Sequence, residues 1–232
     1  IEFAVQMVCG DCEQRVKKAL DNVEGINNVT INRDQEQVIV ETTLPSSHIQ
    51  ALLEKTGKKV ALTGQSAGDS NHLGAAVVIL EAGNSLIKGV VRFIQSDQNK
   101  CIIEGTIDGL PEGHHSVCIH QYGDISLGCK SCGPVFGNLG LKEKVSIVTE
   151  LKVGELGRGE FRIENKDVKV WDIIGRSLVV HQGKYFLDTD TDKRLSCGII
   201  ARSAGIFENS KKICTCDGTT IWDETEKAKK TS

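Results

Sequence analysis

Two thiol pairs near opposite ends of the chain have the residue types and spacing of soft-metal or thiol chemistry. Met7-Val8-Cys9-Gly10-Asp11-Cys12 sets two cysteines three apart at a strand-to-helix junction, and Cys214-Thr215-Cys216 sets two more two apart. A cysteine at a helix start has its thiolate stabilised by unpaired backbone N–H groups and the helix dipole, while the loop before it leaves the other sulfur exposed. Cys9 and Cys12 are therefore candidate metal ligands. Two thiolates suit Cu(I), which is soft and accepts low coordination, whereas a structural zinc site closes with four ligands. Alone, the CxxC also fits a thioredoxin-like redox pair or two incidental cysteines. In an extended tail Cys214 and Cys216 point the same way, so they can grip one Cu(I) or close a disulfide that exchanges readily. Their plainer reading is a pair of exposed thiols.

The elements that must position these residues fall into three stretches. The first reads as strand 1–7, helix 11–22, strands 29–32 and 37–42, helix 46–55 and strand 59–62. This is an α+β, ferredoxin-like βαββαβ unit whose helices cover one face of a four-stranded sheet. Val16, Ala19 and Leu20 give the first helix its apolar stripe; Ile49, Leu52 and Leu53 give the second its own, with Ser46 as N-cap and Gly57 as stop. The small, polar run TGQSAGDSN at 63–71 has linker composition. Beyond it, short strands alternate with glycine-rich turns at 75–80, 87–95, 100–108, 115–121, 144–149, 160–165, 173–181 and 197–201. That pattern predicts an all-β Greek-key barrel or sandwich with almost no helix. The remainder has too few apolar residues for its own core and is expected to be a mostly irregular tail. The expected domains are 1–66, 67–204 and 205–232.

The chain has 232 residues, a formal net charge of −3 and nine cysteines. A near-neutral charge argues against nucleic acid or anionic lipid as partner and leaves a protein or a small ion. The only strongly apolar run near a terminus, 74–80, is too short to span a membrane, so the expected location is cytoplasmic. An odd cysteine count points to ligands and thiol chemistry more than to a disulfide framework. Cys101 in a strand and Cys132, three after Cys129, read as small buried residues; Cys132 is also placed to exchange with Cys129 as a resolving thiol.

The MxCxxC of Met7 to Cys12, joined to the βαββαβ pattern, resembles the heavy-metal-associated domain family. Met7 reads there as a buried anchor of the loop. Residues 73–203 resemble copper–zinc superoxide dismutase through Gly109-Leu110-Pro111-Glu112-Gly113, Gly123-Asp124, Gly128-Cys129, Gly133-Pro134, Gly175-Arg176-Ser177-Leu178-Val179-Val180-His181 and Arg194-Leu195-Ser196-Cys197-Gly198.

In that family an HxH strand supplies two copper ligands; here it reads Cys118-Ile119-His120. The bridging imidazole falls at Val135, His181 is retained, and the zinc loop is deleted after Phe136. The resemblance therefore implies a poor dismutase that needs no zinc. Cys118, His120 and His181 are a weak candidate Cu(I) site, with buried structural residues the preferred reading; His114 and His115 read as loop and packing residues. The resemblance also implies a Cys129–Cys197 disulfide, a channel arginine at Arg194, and a dimer surface at Gly198-Ile199-Ile200-Ala201.

With Arg202-Ser203-Ala204-Gly205 before the CxC and Asp217-Gly218-Thr219-Thr220-Ile221-Trp222 after it, the three segments together resemble the metallochaperone family that serves copper–zinc superoxide dismutase. That resemblance implies Cu(I) carried by Cys9 and Cys12 and passed through Cys214 and Cys216, which also promote disulfide formation in the client. Docking would be as a heterodimer with the dismutase, with a homodimer in its absence and some molecules in the mitochondrial intermembrane space. The rivals are a divergent superoxide dismutase and a copper-buffering or sensing protein without a client.

Overall fold

In the first segment two helices lay apolar stripes on an alternating sheet. The computed structural model describes residues 1–7, 10–64, 73–137, 147–184 and 193–203. Its first elements are β1 (Glu2–Val5), α1 (Gly10–Leu20), β2 (Ile26–Asn32), β3 (Gln37–Thr42), α2 (Ser46–Glu54) and β4 (Val60–Gly64), with the antiparallel sheet ordered β2-β3-β1-β4. This is the expected βαββαβ unit. Cys12, Val16 and Leu20 recur every four residues along α1 and are all buried. With Ile49 and Leu53 of α2 they close over Phe3, Val5, Val38, Val40 and Val60. The capping expectation needs correcting. Pro45 precedes α2 with φ −58° and makes no side-chain cap, while Ser46 is the first helical residue and buried. The proline ring pre-sets the entry, and the Pro45 carbonyl oxygen accepts from the His48 and Ile49 N–H groups to close the first turn. Gly57 does end the helix, in the left-handed region at φ +77°.

The second unit, within residues 73–203, contains β5 (Gly74–Leu80), β6 (Ala82–Gly83), β7 (Lys88–Asp97), β8 (Lys100–Asp108), β9 (Gly113–His120), β10 (Ser126–Cys129), a 3-10 turn (Lys130–Cys132), β11 (Ile147–Val153), β12 (Gly159–Asn165), α3 (Val170–Ile173), β13 (Ser177–Gln182), β14 (Arg194–Ile199) and β15 (Ala201–Ser203). Two antiparallel five-stranded sheets result, ordered β12-β8-β7-β5-β15 and β11-β9-β13-β14-β6. Val91, Phe93, Ile103 and Ile107 from the first meet Val117, Ile119, Leu178 and Val180 from the second in one core. Each set occupies alternate positions of its strand, as a half-buried sheet requires. The strand expected over 173–181 begins only at Ser177, because Val170–Ile173 coils and Gly175 turns the chain at φ +82°. β6 and β10, two and four residues long, carry no readable alternation in the sequence.

On the first sheet, Arg92, Glu104 and Arg162 stand side by side across β7, β8 and β12. Glu104 is buried, and Arg162 Nη1 donates to its Oε2 at 2.6 Å. Burial pulls the Arg92 guanidinium below its ordinary pKa, and the Glu104 carboxylate opposes that pull.

Candidate functional site

Sequence reasoning singled out three sites, of which the thiols Cys9, Cys214 and Cys216 lie outside the described residues. Cys12 occupies the first turn of α1, where backbone N–H groups lack intrahelical partners and Asp11 and Glu13 sit alongside. It is only 4% exposed and packs with Met7, itself 4% exposed, in the core of the first unit. Burial at Met7 fits its reading as loop anchor. Burial at Cys12 follows from its place on the stripe with Val16 and Leu20.

The second site lies on the face of the β9–β13 pair turned away from the main core. Alternation sends Val117, Ile119, Leu178 and Val180 inward and leaves Ser116, Cys118, His120, Ser177, Val179 and His181 on the other side, where every one of them is nonetheless buried. His120 and His181 reach along the sheet toward each other: Nε2 lies 2.9 Å from Nε2, with ring centroids 5.1 Å apart and planes within 20°. His120 Nδ1 is 2.9 Å from the Gly133 carbonyl oxygen. A carbonyl only accepts, so Nδ1 carries the proton; in the neutral ring Nε2 is then the acceptor, and His181 Nε2–H must donate to it. Val135, where the dismutase family has its bridging imidazole, is 3% exposed and forms a β-bridge with His120. Two nitrogens bound to one tetrahedral ion at about 2.0–2.1 Å stand roughly 3.3 Å apart. At 2.9 Å these two make a hydrogen-bonded pair. Among the described residues no three His, Cys, Asp or Glu side chains gather as a metal site.

Beside this face Cys129 and Cys197 are bridged, at S–S 2.22 Å. Arg194, which the dismutase resemblance placed at a copper channel, donates from Nη1 to the Cys129 carbonyl oxygen at 3.0 Å and so ties the β10 end to β14. Cys101 is fully buried in the main core, and burial pushes its thiol up to about 12. Cys132 is also fully buried, and burial raises its pKa. His115 is 1% exposed and its Nε2 lies 2.7 Å from the Pro111 carbonyl oxygen, a packing role, whereas His114 is exposed.

The residues matched to the dimer surface lie where β14 meets two loops. Gly198 passes so close to β5 that a Cβ there would come 1.9 Å from the Ile79 carbonyl oxygen, and one on Gly123 would come 2.1 Å from that of Gly175. Ile79, Tyr122, Trp171 and Ile199 are 59%, 54%, 51% and 36% exposed. Sequence reasoning named only Ile199 of these four; the exposure of the other three is not readable from local pattern.

Residues 2–59 match the model of the heavy-metal-associated domain and residues 87–200 that of copper/zinc superoxide dismutase (SODC). A mouse protein named copper chaperone for superoxide dismutase is 48% identical, covering 97% of this chain and 88% of its own length. The chain belongs to that family. Its human counterpart of the same name is 45% identical over the same shares, and the Saccharomyces cerevisiae protein named superoxide dismutase 1 copper chaperone is 31% identical over 97% of this chain and 94% of its own. Copper binding by the first domain is the property that both the family name and the heavy-metal-associated model carry. No helix among the described residues is long and apolar enough to cross a membrane.

Proposed function

We propose that this chain carries Cu(I) on Cys9 and Cys12, docks on an immature copper–zinc superoxide dismutase through the surface of Ile79, Tyr122, Trp171 and Ile199, and completes the client through Cys214 and Cys216. The observation that carries the proposal is a dismutase-like domain whose own histidines close on each other while its apolar edge stays exposed. Large apolar side chains grouped on a surface favour a protein partner, and a subunit of the related fold supplies a matching one by isologous pairing. Low-coordinate thiolates suit the transfer, because an incoming sulfur ligand can enter before a resident one leaves. When the tail is in its disulfide form, exchange gives one disulfide in the client and two thiols at Cys214 and Cys216, so electrons balance without another oxidant. The chaperone acts without dismutase turnover of its own and needs no zinc, in the cytoplasm and in part in the mitochondrial intermembrane space; without a client the same edge pairs two copies.

The test mixes the Cu(I)-loaded chain with reduced, copper-free, zinc-loaded superoxide dismutase under a copper chelator and follows dismutase activity. Wild type activates and a Cys214→Ser/Cys216→Ser variant does not. No activation by either form would overturn the proposal in favour of copper buffering, and activity of the loaded chain alone would favour a divergent dismutase.

A further inference from the structure

Three cysteines share one small buried cluster behind β13: Cys129, Cys132 and Cys197, together with Val179. Cys129 and Cys197 are bridged, while Cys132 is a fully buried thiol. Cys129 caps the 3-10 turn that Cys132 ends. On such a turn residues three apart eclipse, and a rise of about 2.0 Å per residue sets their Cα atoms about 6 Å apart, inside the span a disulfide needs. The backbone that holds Cys129 against Cys197 therefore also sets the Cys132 Cα within the span that a disulfide to Cys129 needs. Its surroundings favour the thiolate on two sides, through the Ser177 hydroxyl and the Arg194 charge, and burial outweighs both. A thiol so held reacts slowly when the fold is closed and faster when it loosens.

We propose that Cys132 is the resolving thiol of the domain's own disulfide, and that Cys129, Cys132 and Cys197 form an exchange set. In folding the Cys197 thiolate attacks Cys129 Sγ; the Cys129–Cys197 bond forms as the Cys129–Cys132 bond breaks, and the electron pair leaves on Cys132 Sγ, which takes up the proton that Cys197 gave; the reverse attack by Cys132 reopens the long bond. One disulfide and one thiol stand on each side, so nothing is oxidised or reduced overall. Chain statistics give the exchange a direction. Cys129 is 68 residues from Cys197 and three from Cys132, and loop closure falling as the −3/2 power of length favours the short pairing by roughly 100-fold in the unfolded chain. The first bond made on oxidation is then Cys129–Cys132, and folding, which seats Cys197 on β14 beside Val179, moves it to the long pairing.

The test refolds the reduced full chain in a glutathione buffer, quenches samples in acid and maps the disulfides. Cleavage after Lys130, which lies between the two cysteines, turns a Cys129–Cys132 bond into a linked peptide pair of distinctive mass. The expected record is that pair rising first and decaying as the Cys129–Cys197 pair appears, with Cys132→Ser forming the long bond at least ten-fold more slowly. Direct appearance of Cys129–Cys197 with no earlier short pair would overturn the proposal, as would equal rates in a Cys132→Ser chain whose folding is confirmed by circular dichroism. Should that variant fail to fold, the wild-type time course alone decides. None of these readouts involves copper or a client, so they stand or fall separately from the delivery function.

Discussion

Removing the Cys129–Cys197 bridge should be the largest single loss of stability accessible in the second domain without touching its main core. Cross-linking two residues 68 apart removes loop-closure entropy from the unfolded chain; the chain-entropy relation gives about 15 cal/mol/K, or about 4 kcal/mol at 25 °C. The bridge ties the β10 end to β14, where Arg194 adds a hydrogen bond to the Cys129 carbonyl, so reduction frees a segment that the fold still holds at a second point. For a domain of roughly 130 residues, 4 kcal/mol corresponds to a fall in Tm on the order of 15 °C. The comparison is urea unfolding of the oxidised chain against a Cys129→Ser/Cys197→Ser variant, read by circular dichroism at matched pH. The double variant avoids a half-removed bridge and its stray thiol. A loss below about 1 kcal/mol would refute the reasoning and would mean that the unfolded chain already holds these segments together without the bond.

Three other outcomes are expected. Ile79→Glu and Ile199→Glu place a charge on exposed side chains, so each should leave stability within about 0.5 kcal/mol while lowering client activation at least ten-fold; unchanged activation would remove this edge from the docking surface. Glu104→Gln leaves Arg92 and Arg162 without their carboxylate and should cost on the order of 3 kcal/mol, seen as a lower urea midpoint with unchanged m. Phe93→Ala opens the core between the sheets where the ring is fully buried and should cost about 3–5 kcal/mol, enough in thermal melts to leave the domain marginal at 37 °C.

The βαββαβ unit was legible because its apolar residues repeat at helical or strand spacing; the stripe of Val16, Ala19 and Leu20 predicted α1, and Cys12, one turn earlier on the face of Val16 and Leu20, is buried with it. The eight predicted strands of the second domain were legible from alternation between glycine-rich turns, whereas two- and four-residue strands such as β6 and β10 offer too few positions to alternate. His120 and His181 could each be named from the sequence as residues turned from the core. Their meeting could not, because it depends on a register that sets His120 opposite Ser177 and His181 opposite Ser116, with two long rings spanning the offset. For Arg194 the motif match gives a position in the chain, whereas the carbonyl it binds is set by the turn after β10 and is not readable from local pattern.

The contact between His120 and His181 bears on how cargo stays on course. Any metal ion entering between those nitrogens must first spread them and break the hydrogen bond they share, and it finds a valine where a third imidazole would help. A courier whose body closely resembles its customer runs the risk of keeping the parcel. Here the two imidazoles of the look-alike site already satisfy each other, so an ion gains a foothold there only by first breaking the hydrogen bond they share.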